Sequence, residues 1–208
     1  MERVAAPFAT FDCYGTLIDW NAGLREALGS DELLRRYHEV EPEVERENPA
    51  LSYREVMGEV ARRIGAPDPE AVPRSLPGWK PFPEVRAALE EARARGWLLA
   101  ILSNTDRDFI EASIESIGVP FEVAVVASEI GSYKPALGHW LEFERRMGRL
   151  PDVHVAASLV HDIAPARKLG LKTVWVNRLA ERPEPAPTRE LADLRPLPEA
   201  LDELIRPR

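Results

Sequence analysis

From residue 84 to residue 176 the chain repeats one pattern: an amphipathic helical stretch, a breaker, then a short apolar run that ends in polar residues. Helical periodicity over 84–95, with Val85, Ala88, Leu89 and Ala92 on one face, stops at Gly96 and leads into the apolar run 97–102. A second helix is predicted over 106–117, closed by Gly118 and followed by a strand near 123–127. Helices over 136–147 and 163–169 precede strands at 153–157 and 172–176. One more apolar run, 8–12, stands near the start and ends at the turn residue Gly15. Short strands separated by helices pair through right-handed crossovers, which place them in a parallel sheet with helices on both faces. The expected fold class is α/β, a doubly wound sheet built from these five strands.

Between the first two strands the character changes. Trp20, Leu24, Ala27 and Leu28 share one helix face, Leu33, Leu34 and Tyr37 another, and Val56, Met57, Val60, Ala61 and Ile64 a third. Ser52 with Glu55 three residues on has the form of a capping box that starts the last of these helices, while Gly65 and Pro67 stop it. The proline-rich run at 77–83 marks the return to βα units. The expected organisation is a core of residues 1–17 and 81–208, interrupted after strand one by an all-helical insertion, 18–80, positioned to act as a cap. The stretch 182–187 is proline-rich and predicted to be extended, ahead of a short final helix carrying Leu197, Leu201, Leu204 and Ile205.

Composition narrows the partners. With 45% hydrophobic and 30% charged residues, 208 residues suffice for one core and a small accessory domain. The formal charge of −8, from 35 acidic against 27 basic side chains, comes with no basic block to neutralise a polymer of phosphates, so no nucleic-acid partner is expected. No run approaches the roughly 18 apolar residues of a membrane span. A single cysteine, Cys13, and a start without a basic leader point to a cytoplasmic setting. Glutamine is absent, Asn and Met are scarce and proline reaches 19, a bias that fits a thermophilic source.

Open parallel sheets bind ligands beyond the carboxyl ends of their strands. There the sequence places Asp12 after strand one, Ser103 and Asn104 after strand two, Lys134 in the loop after strand three, and Ser158, His161 and Asp162 after strand four. An aspartate, with an ordinary pKa of about 3.9, is ionised at neutral pH and needs no base to act as a nucleophile. Lys134 beside it would hold that charge, the hydroxyls of Thr16 and Ser103 would donate hydrogen bonds to a substrate, and Asp162 would balance the lysine or direct water.

The run Phe11-Asp12-Cys13-Tyr14-Gly15-Thr16-Leu17 resembles the first motif of haloacid dehalogenase superfamily hydrolases, Ser103-Asn104 the second, Lys134-Pro135 the third and His161-Asp162 the fourth. The resemblance spans nearly the whole chain and implies a Rossmann-like core, a helical cap inserted after the first motif, and a covalent intermediate on Asp12. Phosphatases similar to this chain carry an aspartate two residues after the nucleophile, to protonate a leaving alcohol. Here Tyr14 stands, as in the type II (S)-2-haloacid dehalogenases that the chain resembles in its motifs, and Ala157 replaces an aspartate common in metal-dependent relatives.

The resulting expectation is hydrolytic dehalogenation of small 2-haloacids. Asp12, Lys134, Asp162, Ser103 and Thr16 are the catalytic candidates; Tyr14, Asn104, His161, Ser158 and a cap arginine, Arg35 or Arg36, are the substrate contacts. The partner is then a small anionic molecule, and no cofactor is required. The alternatives are a phosphatase of small activated phosphoesters, with Mg2+ on Asp12 and Asp162, and a non-catalytic binding protein on the same scaffold. The resemblance also implies a homodimer paired through apolar cap faces. His38, His139 and His154 are expected to be packing or surface residues, Cys13 a small buried one, and Trp20, Trp79, Phe82 and Tyr53 aromatics of the kind that line a pocket.

Overall fold

The computed structural model describes residues 6–206. Strand β1 (Phe8–Phe11) is buried along its whole length between β2 (Leu98–Ser103) and β4 (Val153–Ala156). With β3 (Val123–Val126), β5 (Lys172–Val176) and β6 (Arg189–Leu191) they form one sheet of order β3-β2-β1-β4-β5-β6, every pair parallel. Phe11 stands level with Ile101 and with Val155, so the residues just after β1, β2 and β4 emerge on one edge.

Side chains alternate between the two faces of β2, as the pleat requires. Leu99 and Ile101 pack with α5 (Val85–Ala94) and α6 (Arg107–Ile117), whereas Ala100 and Leu102 meet Trp140 and Phe143 of α8 (Gly138–Met147). A four-residue turn of helix, α7 (Ala127–Ile130), follows β3. The helix expected at 163–169 opens as a π-helical turn (Leu159–Ile163) before α9 (Ala164–Lys168).

Five strands were expected and six are present. Residues 189–191 contain one apolar side chain, Leu191, and carry no strand signal of their own. The backbone of β5 recruits them: Asn177 N–H donates to the Leu191 carbonyl at 2.7 Å, and Thr173 N–H to Thr188 Oγ1 at 3.0 Å. Helix α10 (Leu197–Ile205) then returns along α5 and buries Leu197 and Leu201.

Four helices and a 3-10 turn lie between β1 and α5: α1 (Trp20–Leu28), α2 (Asp31–Glu47), α3 (Tyr53–Ile64), α4 (Ala71–Ser75) and the turn Leu76–Gly78. The capping box at Ser52 and Glu55 is formed, and Gly65, at φ 78, closes α3 in the left-handed conformation that favours glycine. Leu24, Tyr37, Val56, Met57 and Val60 are fully buried inside this insertion, each contributing about 1.5–3 kcal/mol of transfer free energy. The neck is closed by two antiparallel segments, with Asp19 N–H donating to the Lys80 carbonyl at 2.9 Å and Phe82 N–H to that of Leu17 at 3.0 Å.

Candidate active site

Asp12 leaves the end of β1 only 8% exposed, its backbone N–H bonded to Val155 on β4 at 3.0 Å. Both carboxylate oxygens are held: Oδ1 accepts from Lys134 Nζ at 2.9 Å and Oδ2 from the Thr16 hydroxyl at 2.8 Å. Thr16 Oγ1 in turn accepts the Ala157 N–H at 2.9 Å. The threonine's proton therefore goes to Asp12 itself, not to a substrate as sequence reasoning expected. Asp12 lines the cavity and Thr16 stands behind it.

Lys134 is fully buried and all three of its N–H bonds are spent, on Asp12, on the Leu102 carbonyl at 2.9 Å and on Asp162 Oδ1 at 2.5 Å. Burial alone would depress its pKa, but the two carboxylates outweigh it and the pKa lies above the usual lysine value. Burial is also the largest influence on both aspartates, yet they diverge. Asp12 stays above its ordinary value, because Lys134 offsets desolvation only in part and Asp162 adds repulsion. Asp162 is held at about 2, where Lys134 and His154 more than cancel its burial. His154, expected to be packing or surface, lies fully buried behind the site, with Nε2 3.0 Å from Asp162 and Nδ1 2.8 Å from the Thr10 hydroxyl.

The remaining candidates from the strand ends gather on the same edge. Asn104 uses both ends of its amide on the lysine loop, donating to the Lys134 carbonyl at 3.1 Å and accepting its N–H at 2.7 Å. It lines the cavity while fixing the backbone that carries Lys134. Ser103 Oγ is buried, has no protein partner and borders the same space. Ser158 caps the turn that carries His161 and Asp162, accepting the His161 N–H at 3.0 Å. The Tyr14 hydroxyl pairs with Ser113 at 3.0 Å. Burial pushes the Tyr14 phenol and the neighbouring Cys13 thiol well above their usual pKa values, so neither ionises near neutrality.

The cavity over Asp12 encloses about 410 Å³, and its far wall comes from the helical insertion. Neither Arg35 nor Arg36 reaches it. Arg35 lies exposed, held by Glu32 at 2.6 Å and by Glu39 at 2.6 Å, its neighbours at i−3 and i+4. In their place α2 presents His38, Glu41 and Glu45, with Trp20 of α1 and Tyr53 of α3 beside them. Trp79 packs instead against Tyr14 and α1, and Phe82 lines an adjoining cavity of about 700 Å³ that shares Tyr14, Trp20 and His38.

Sequence reasoning missed Glu41 and Glu45. Their spacing of one turn along α2, with His38 three residues before Glu41, reads as a solvated polar stripe. The available signal was Pro42, which breaks the helical hydrogen-bond ladder at that stripe. It also missed Arg178, which braces the loop after Asp12 by donating to the Thr16 carbonyl at 2.9 Å, pairing with Glu84 at 2.8 Å and stacking over Phe82.

No helix among the described residues is long and apolar enough to cross a membrane. Asp12 and Asp162 are the carboxylates the sequence offers to Mg2+. Each already gives an oxygen to Lys134, and no third His, Cys, Asp or Glu joins them among the described residues, so the donor set does not fit a metal site built by protein alone.

A haloacetate dehalogenase H-2 from Moraxella sp. (strain B) is 35% identical over 102 residues, 48% of this chain and 46% of that protein. A glyceraldehyde 3-phosphate phosphatase from Methanopyrus kandleri is 29% identical over 170 residues, 76% of this chain and 71% of that one. An (S)-2-haloacid dehalogenase 2 from Pseudomonas sp. (strain CBS-3) is 32% identical over 115 residues, half of each chain. The two dehalogenase matches thus span about half the length of those relatives. The crystal structure of an L-2-haloacid dehalogenase from Xanthobacter autotrophicus with chloropropionic acid covalently bound superposes with a TM-score of 0.81 at 18% identity, over 94% of this chain and 98% of that one, which is likeness of fold. Residues 9–170, the span that carries the aspartate, the lysine and the second aspartate of the site, match the haloacid dehalogenase-like hydrolases, and the chain belongs to that family.

Proposed function

We propose that the protein displaces halide from small 2-haloacids through an ester formed on Asp12, which water then hydrolyses. The observation that carries this reading is the Lys134 ammonium, which binds Asp12 and Asp162 at once. The nucleophile is charge-balanced and aimed by protein groups alone, and a carboxylate fixed at both oxygens has little orientational freedom left to lose on the way to the transition state. Tyr14 narrows the leaving group. Its phenol, with a raised pKa and paired with Ser113, is too weak an acid to protonate a leaving alcohol efficiently, and halide is a group that departs without being protonated.

His161 is the residue suited to activate the water. Burial lowers its pKa, so the ring is neutral near pH 7, and it borders the cavity next to Asp162. Ser103, Ser158 and Asn104 complete the polar edge facing the substrate. The dehalogenase relatives support the same chemistry.

A phosphatase reading draws support from the Methanopyrus relative, which matches the larger part of both chains. In it Asp12 takes the phosphoryl group, and Mg2+ bound through Asp12 and Asp162 would depend on the substrate's own phosphate to complete its oxygen ligands. The test is single-turnover incubation in heavy-oxygen water with 2-chloropropionate or with p-nitrophenyl phosphate, each with and without EDTA, followed by mass analysis of the Asp12 peptide and of released inorganic phosphate. Label entering Asp12 with the haloacid, unaffected by EDTA, is the expected result. Label in the released inorganic phosphate and not in Asp12, and only without EDTA, overturns it in favour of the phosphatase, because water attacks an aspartyl phosphate at phosphorus; label in neither Asp12 nor phosphate favours a binding protein.

A further inference from the structure

Lys134 has no free donor, and the insertion supplies no guanidinium to the cavity. What α2 supplies is a pair of carboxyl groups, Glu41 and Glu45, one turn apart. Glu41 is 8% exposed, and its Oε1 accepts the Tyr53 hydroxyl at 2.8 Å. Neither carboxyl is ion-paired among the described residues. The groups facing the pair are Tyr37 on α2, Tyr53 on α3, and Tyr133 and Lys134 in the loop after α7. Asp12, Asp162, His38, His161 and Glu181 border the same cavity, and burial lowers the pKa of both histidines. The tyrosines are neutral and the lysine's charge is committed to the two aspartates, so ionising both glutamates would place two more negative charges in a wall that has no cation to spare. Burial lifts Glu41 to about 7 against the pull of the Tyr53 hydrogen bond, and burial first with the Glu41 charge second lifts Glu45 to about 9 against the pull of Lys134.

A second observation points to a ligand. Ser103 Oγ is 1% exposed, borders the same cavity and has no partner. A buried hydroxyl left unmet is costly unless something that enters the cavity satisfies it.

We propose that Glu45, paired with Glu41, receives the leaving group: a neutral carboxylic acid on α2 that donates a hydrogen bond to the departing halide, doing there what a guanidinium would do. The proposal rests on displacement at Asp12. As the Asp12 oxygen bonds to carbon, the carbon–halogen bond breaks and its electron pair leaves with the halide, which accepts the Glu45 O–H. The proton stays on Glu45. Water then opens the ester, which restores the Asp12 carboxylate and releases the 2-hydroxyacid and one proton. An ionised Glu45 repels the halide, so ester formation is confined to pH values below the titration of the pair.

Two measurements test this. The first is the rate of Asp12 ester formation from 2-chloropropionate between about pH 6 and about pH 10. The wild type is expected to lose at least about tenfold across that range. Glu45→Gln, whose amide still donates but does not titrate, is expected to lose the alkaline fall, and Glu41→Gln to move it to lower pH by removing a like charge from the protonated partner's environment. An alkaline fall unchanged in Glu45→Gln, or a rate that rises with pH, overturns the proposal. The second measurement needs no turnover and stands even if no haloacid labels Asp12. In carboxyl-carbon NMR titrations with glutamate labelled, bromide is expected to raise the Glu45 pKa, because the anion binds the protonated form. No shift with bromide, or a lowered pKa with methylammonium, overturns the proposal and marks the pair as a bystander or a cation site.

Discussion

Lys134 concentrates the site's electrostatics in one atom. Its three N–H bonds hold two aspartates and a strand carbonyl, so replacing it does more than delete a charge. Lys134→Met leaves two buried carboxylates without a counter-ion, a loss of about 3–5 kcal/mol that is relieved when one of them takes up a proton. Asp12, already displaced toward the neutral form, is the carboxylate that protonates, and a protonated Asp12 is no nucleophile. We expect ester formation to fall by roughly two orders of magnitude or more, read by labelling of the Asp12 peptide, with a lower melting temperature. Lys134→Arg is not expected to rescue it, because a planar guanidinium does not deliver three N–H bonds to these points. Asp162 makes a separate prediction about acid. Its folded-state pKa of about 2 lies below the ordinary 3.8, so the group stabilises the fold above pH 3.8 and loses that contribution as pH falls toward 2. Denaturant unfolding at a series of acidic pH values should show this loss in the wild type and a flatter limb in Asp162→Asn.

At the scale of elements, the βα units were legible because each combined a helical period, a glycine stop and an apolar run, three signals that agree. Strand β6 was not legible, since three residues with one apolar side chain acquire their conformation only from the edge of β5. Helix α2 was legible as a helix, but its orientation was not. A polar face looks the same whether it meets water or a cavity, and Arg35 drew attention as a cation although Glu32 and Glu39 hold it on the outer face. The same helix predicts a pH effect opposite to that of Asp162. Glu41 and Glu45 bind protons more tightly folded than unfolded, so they favour the folded state below pH 4.5, and stability should decline as pH rises from there through about 7 and about 9. Unfolding midpoints measured across that range should fall in the wild type and less so in Glu41→Gln. On α1, a Cβ added at Gly23 would lie 2.3 Å from the Trp79 ring. Gly23→Ala should therefore destabilise by about 1–3 kcal/mol despite alanine's better helix propensity, read as a shift in the urea midpoint.

At the scale of the whole molecule, the core holds the insertion at the neck, at the start of α3, and where α6 packs on the turn Leu76–Gly78. Position 106 invites reading as the N-cap of α6, but its side chain does not serve that helix. Both Asp106 oxygens reach across to the insertion and accept the N–H groups of Tyr53 and Arg54, each at 2.9 Å, which are the first two donors of α3. Ser52 meets the third, so α3 starts with its amides satisfied and a negative charge at its positive end. Beside this, the Tyr133 hydroxyl donates to the Leu51 carbonyl at 2.8 Å from the loop that carries Lys134. Because the Tyr53 hydroxyl holds Glu41, this attachment fixes the cavity wall that carries Glu41 as well as the helix end. Asp106→Ala should cost about 1–3 kcal/mol for two stranded amides. Because the attachment holds the wall, its loss should reduce turnover by more than the loss of folded protein explains and expose the neck near residues 17–19 and 80–82 to limited proteolysis. Asp106→Asn, which keeps one acceptor, should fall between the two. A variant that is less stable yet equally active per folded molecule, with no new cleavage at the neck, would show that Asp106 caps α3 and does nothing for the position of the wall.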